Sequence, residues 1–241
     1  MIIIQPIKNN NNNKNNIYII ILIYILYFKY LYTIILYIMP CLYLNFQQSV
    51  SVPADIQIGS GTSNLTGMPL YGLYDYSQGG MIYLASELTA VANKQITAIE
   101  FQYNGWTTSY TANNQVIKLG HISGSAFPST ADVDYNDVNG GVPPTLTTCK
   151  TGFSTLNFSP NIGSGGFIKH TFTTNFTYNG TSNLLISWEN VDGSWASGYG
   201  WAEGFSTSGK RHARWFADNN YPTSSSSSGG NSVPNIIIHY Q

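Results

Sequence analysis

The chain has 241 residues, of which only 9% are charged, against about 25% in ordinary soluble domains. All eleven acidic residues but only seven of the ten bases lie from Asp55 onward. That mildly acidic part has no basic stripe, which argues against nucleic acid as a partner. The two cysteines, Cys41 and Cys149, lie on either side of a change in composition near residue 54 and exclude a disulfide framework.

The N-terminal part, residues 1–54, opens with an Asn tract from Asn9 to Asn16 broken only by Lys14. Ile17 to Met39 follow as 23 apolar residues carrying one charge, Lys29. At about 1.5 Å rise per residue such a helix spans the roughly 30 Å hydrocarbon core of a bilayer. Lys8 and Lys14 precede it and the next charge is Asp55, so the positive-inside bias places the rest of the chain outside. The segment reads as a transmembrane signal anchor, or as a signal peptide with small residues for cleavage in Val52 to Ala54. An over-extended start is the third reading. The residues before Cys41 make a poor lipobox. The partners this implies are the membrane, through residues 17–39 if uncleaved, and a glycan or another surface protein outside it.

Residues 55–241 contain no helix-period segment and many strand-period ones. Ile82 to Leu88 suits a short helix or a strand. Gln95 to Tyr103 alternates, with Thr97, Ile99, Phe101 and Tyr103 as the core face. Asn113 to Ile122 sets Val116 opposite Ile117 and Leu119. Gly166 to Tyr178 alternates through Ile168, His170 and Phe172 against Lys169, Thr171 and Thr173. Ser182 to Asn190 is denser in apolar residues, as a central strand requires, and its Trp188 reads as core. Ala213 to Asp218 and Pro234 to Tyr240 complete the set, the last pairing near the first at Asp55 to Ile58. Gly, Asn, Pro and Ser clusters punctuate these runs as turns. Several strands without helical crossovers predict an all-β fold, a jelly-roll-like β-sandwich.

Five segments resemble, in order, a β-sandwich module of large secreted surface proteins of Bacteroidetes and related bacteria. They are Ile58 to Leu88, Ile96 to Asn104, Ile117 to Thr130, Phe176 to Asn190 and Pro234 to Ile238. In those proteins the module often sits beside fibronectin type III and sorting domains. The resemblance covers nearly all of 58–238, is poorer over 131–165, and implies a surface-associated role with no catalytic residues to carry over.

Trp195, Tyr199 and Trp201 fall in a Gly- and Ser-rich stretch that reads as a loop. Aromatic rings there stack on the apolar faces of sugars, and Asp192 or Glu203 accept hydroxyl hydrogen bonds. The plainer alternative is that these rings cap one end of the sandwich. Trp106 is either a similar feature or a hairpin staple. Asp132 to Gly141 has the oxygen-rich composition of a calcium loop but fails the EF-hand template, since Asp137 occupies the Gly position and Pro143 the bidentate Glu position. A solvated acidic turn is the alternative, and no other cofactor is expected. Glu87, Glu100, Glu189 and Glu203 are the carboxylates a glycoside hydrolase would need in facing pairs, and nothing in their spacing forces that. His121, His170, His212 and His239 lack metal-ligand spacing. Gly209 to Arg214 reads as a strand-end turn rather than an anion site. Asn-x-Ser/Thr sequons occur at Asn64, Asn157, Asn175 and Asn179. The expectation is a non-catalytic adhesion or carbohydrate-binding module, with a structural spacer or fibre subunit and a glycoside hydrolase as alternatives.

Overall fold

The computed structural model describes residues 21–37, 52–104, 111–154, 166–195, 201–223 and 227–241. The chain divides into two compact units, Met1–Ser51 and Val52–Gln241. In the first, residues 21–37 form an α-helix whose side chains are nearly all exposed. Seventeen residues rise about 26 Å, and among the described residues no helix is long and apolar enough to cross a membrane. Residues 17–20 and 38–39 of the expected span lie outside the described residues.

The second unit is an all-β sandwich of two antiparallel sheets. One sheet joins β1 (Ala54–Ile58), β13 (Ile236–Tyr240), β4 (Gln95–Asn104), β9 (Trp201–Ser206) and β12 (Ser232–Pro234) in that order. In addition, β2 (Ser63–Leu65) pairs with β9 and β7 (Gly166–Thr177) with β4. The other runs β11 (Ser228–Gly230), β10 (His212–Ala217), β3 (Tyr76–Tyr83), β8 (Asn183–Asn190), β5 (Gln115–Ile122), β6 (Leu146–Phe153). The expected pairing of first and last strands holds from Ala54 opposite Tyr240 to Ile58 opposite Ile236. Strand β8 is central, and Trp188 is fully buried.

Alternation decides what each strand buries. Ile99, Phe101 and Tyr103 of β4 face Ile117 and Leu119 of β5 and Leu184, Ile186 and Trp188 of β8 in one continuous core. Thr97 was expected on that face, but Ile96 takes its place. A bulge between Ile96 and Ala98 shifts the register against β7, and one extra residue flips the side chains before it to the opposite face. The stretch from Ile82 to Leu88 is part strand and part helix: β3 ends at Tyr83 and a 3₁₀ turn covers Ala85–Glu87.

A second core lies on the far side of the six-stranded sheet. Ile82, Ile122, Leu185, Ala213 and Trp215 are covered there by Phe127, Ala131, Tyr135 and Val138 from the β5–β6 connection. Gly80 makes this cover possible, because a Cβ at that position would stand 2.6 Å from the Tyr135 ring and 3.0 Å from Phe127. Both rings are buried and have little room to retreat. Gly80→Ala is expected to destabilise the fold by about 1–3 kcal/mol, read as a lower denaturation midpoint in urea.

Candidate functional site

Strand register collects one end of the sandwich from many parts of the chain. Asn104 lies opposite Trp201, Gln115 and Ser77 opposite Asn190, and Tyr76 opposite Ala217. Connections after β4, β8 and β10, and those entering β3, β5 and β9, therefore meet there. Asp192, Trp195 and Trp201, expected as binding residues, lie on these strand ends and loops. Trp106 and Tyr199 lie outside the described residues.

Buried polar groups hold the loop that follows β8. Trp188 Nε1 donates to Gln115 Oε1 at 2.7 Å, and Gln115 Nε2 donates to Asn190 Oδ1 at 2.5 Å. Gln115 and Asn190 are fully buried, and a buried network of this kind is rigid when its members are satisfied. From Asn190 it reaches outward: Asp192 N–H donates to its Oδ1 and its Nδ2 donates to the Tyr74 carbonyl. Gly193 N–H donates to the Asp75 carbonyl, at a positive φ of 75° that suits glycine. The next aromatic residue, Trp195, is 63% exposed and Trp201 is 40% exposed. Trp195 and Trp201 are therefore large rings facing solvent on an anchored end of the fold.

Glu203 is different. It lies within β9 opposite Asn64 of β2 and is only 6% exposed, which leaves little carboxylate surface for a ligand hydroxyl.

Aromatic residues from other segments crowd the same end. Tyr71, Tyr74 and Phe216 pack together with ring centroids 4.4–5.1 Å apart, and the Arg214 guanidinium lies 4.7 Å from the Tyr71 ring centre. Tyr76 meets Tyr221 edge-on at 6.5 Å. The Tyr221 hydroxyl donates to Gln78 Oε1, whose Nε2 donates to the Val133 carbonyl, both at 2.8 Å. Burial, reinforced by the Glu189 charge, pushes the Tyr221 hydroxyl above its ordinary pKa, so it stays a donor at neutral pH.

Two carboxylates of the acidic stretch Asp132 to Gly141 accept hydrogen bonds from its own backbone. Asp137 Oδ2 accepts from Asp132 N–H at 2.8 Å, and Asp134 Oδ1 accepts from Asn136 N–H at 3.1 Å. Among the described residues no group of three or more His, Cys, Asp or Glu is placed to hold a metal ion. Beside this loop opens a pocket of about 320 Å³ lined by Asp132, Val133, Asp134, Asn136 and Thr223.

The candidate hydrolase carboxylates are paired elsewhere. Glu87 holds Arg211 through two contacts, Glu100 holds His239 at 2.6 Å, and Glu189 holds Lys118 at 2.7 Å. Glu100 alternates with the core residues of β4 and Glu189 with those of β8. They therefore occupy the outer faces of opposite sheets. Arg211, in the basic stretch, is buried against Glu87.

Sequence reasoning missed Tyr76, Tyr221 and Gln78. Tyr76 and Gln78 share β3 but Tyr221 is far from them in the chain, and the β3–β10 pairing brings the three together. No protein-family model, curated protein or solved structure matches this chain.

Proposed function

We propose that this chain is a non-catalytic binding module of the cell surface or extracellular space, exported through its apolar N-terminal segment, that takes carbohydrate at the loop end of its sandwich. The observation that carries this reading is Trp195, 63% exposed on a loop tied into the core through Asn190, Gln115 and Trp188. An exposed ring held in place offers large contact area at low entropic cost. The engagement of Glu87 and Glu189 in separate ion pairs, and of Glu100 in a contact with His239, favours binding over hydrolysis. A jelly-roll-like topology and kinship with the Bacteroidetes surface module belong to the same reading. It is tested by a glycan array on the protein, with and without calcium, beside Trp195→Ala and Trp201→Ala. Each variant is expected to weaken binding at least about tenfold, equivalent to about 1.4 kcal/mol, while remaining folded. No glycan bound by the unaltered protein would sink the reading.

A spacer or fibre subunit is the second reading, favoured by the edge strands: among the described residues β1 pairs only with β13, and β6 only with β5. Open edges are templates for pairing with another chain. That reading expects polymers in sedimentation and no glycan binding.

A further inference from the structure

We infer that the ligand of the loop end is a neutral oligosaccharide, and that the pocket beside Thr223 is a second subsite for it. This rests on the carbohydrate reading above and deepens it. At about 320 Å³ the pocket falls within the range of small-ligand sites, roughly 300–1,000 Å³. Its described lining offers the Asp132 carboxylate and the Thr223 hydroxyl, with Asp134 and Asn136 bonded to one another beside them, around one apolar wall, Val133. Such groups match a ring of hydroxyls, each of which both donates and accepts. None of the described lining residues is cationic, so none of them rewards an acidic sugar, and Asp132 and Asp134 repel one.

Side-chain contacts link the pocket to the exposed tryptophan loop. A Cβ built on Gly193 would meet the Tyr76 hydroxyl at 3.3 Å, so loop and ring are in contact. The Tyr76 ring meets Tyr221, and Tyr221 stands two residues before Thr223 of the pocket wall. Its hydroxyl is fixed on Gln78, which also fixes Val133 on the opposite wall. Two half-buried tyrosines thus stand between the loop carrying Trp195 and the pocket.

The pocket is also built in advance. Tyr135 holds a positive φ of 63°, which a bulky residue adopts only when its surroundings impose it. Its ring is buried, and its hydroxyl bonds Ser187 Oγ at 2.8 Å. Trp215 Nε1 donates to the Ala131 carbonyl, and Ala131 N–H donates to Ser227 Oγ, both at 3.0 Å. A loop ordered before binding spares the ligand that entropic cost.

The test is a titration of the full chain with neutral gluco- and manno-oligosaccharides from mono- to hexasaccharide, with a uronic-acid series as control. Affinity is expected to rise at least about tenfold, or about 1.4 kcal/mol, from the disaccharide to the longest neutral member. Thr223→Trp, which fills the pocket, and Asp132→Ala, which removes an acceptor, are each expected to abolish that gain. Both should leave disaccharide binding unchanged, and Trp195→Ala should weaken every neutral sugar. A length gain that survives both pocket variants, or no length gain at all, overturns the subsite while leaving the tryptophan loop standing. Tighter binding of the uronic series overturns the neutral class. No sugar bound at any length overturns the carbohydrate reading itself.

Discussion

Glu87→Gln is expected to destabilise the sandwich by about 3–5 kcal/mol, because it leaves a buried guanidinium without its counter-charge. The Arg211 side chain is 5% exposed. Its Nη1 donates to Glu87 Oε1 at 2.8 Å, its Nη2 to Oε2 at 2.5 Å, and its Nε to the Ile82 carbonyl at 2.8 Å. Glu87 also accepts from the Leu84 N–H at 2.8 Å. The carboxylate therefore secures the 3₁₀ turn after β3 and the entry to β10 together. An amide keeps the shape but offers one acceptor oxygen and no charge. Replacing both partners with apolar residues of similar size should recover much of the loss, since such a pair gains little over good packing. Equilibrium urea unfolding of the two single variants and the double variant measures this directly. Additive effects would show that the two side chains do not act as a pair.

Acidification should act most strongly through His170. Burial, with the Lys150 charge second, holds its pKa down to about 3 against an ordinary 6.5. The ring packs 4.8 Å from Trp188 and 5.8 Å from Phe153, and its Nε2 is buried without a hydrogen-bond partner. The imidazole is thus neutral when folded, and an unfolded chain takes up a proton below pH 6.5 that the folded one refuses. Stability present above 6.5 is therefore lost as pH falls toward 3, at about 1.4 kcal/mol per pH unit. His212, also lowered chiefly by burial, acts in the same direction. Between about pH 7.5 and about pH 4.5 the protein should lose roughly 3 kcal/mol more stability than His170→Leu does. Equal losses in the two proteins, from urea unfolding at both pH values, would show that His170 is not the responsible group.

The strand-period reading succeeded where a strand buries one face or both. Trp188 and its neighbours in β8 carry a dense apolar run because strands flank them on both sides. It failed where the backbone departs from regular pairing. The Ile96–Ala98 bulge leaves no mark in the alternation, so Thr97 was expected where Ile96 sits. Strand β6 escaped notice for another reason. It is an edge strand that buries only Cys149 fully, and its Thr and Lys residues read as loop. The second core was illegible too, since Phe127, Ala131, Tyr135 and Val138 come from a connection with no strand or helix period.

The candidate site was legible in part, as a loop rich in aromatic and acidic residues. Trp195 and Asp192 stood out because aromatic and acidic residues in a Gly- and Ser-rich loop have few structural duties. Glu203 looked similar, but it belongs to a strand, and burial there is set by the β2 strand laid against it. Tyr76 and Tyr221 had no local signal at all. Each lies beside an ordinary strand end, and their contact is a property of the β3–β10 pairing.

The order in which the strands are made bears on when this protein can fold. Strand β13 lies between β1 and β4 in the seven-stranded sheet, yet it is synthesised after both. While it is missing, β1 lacks the strand it pairs with, and the side of β4 that β13 covers is paired only at Tyr103 and Asn104, with β9. Pairings this distant in sequence close slowly. The seven-stranded sheet is therefore completed only after Ile236–Tyr240 have been made, whereas the six-stranded sheet needs nothing beyond β11.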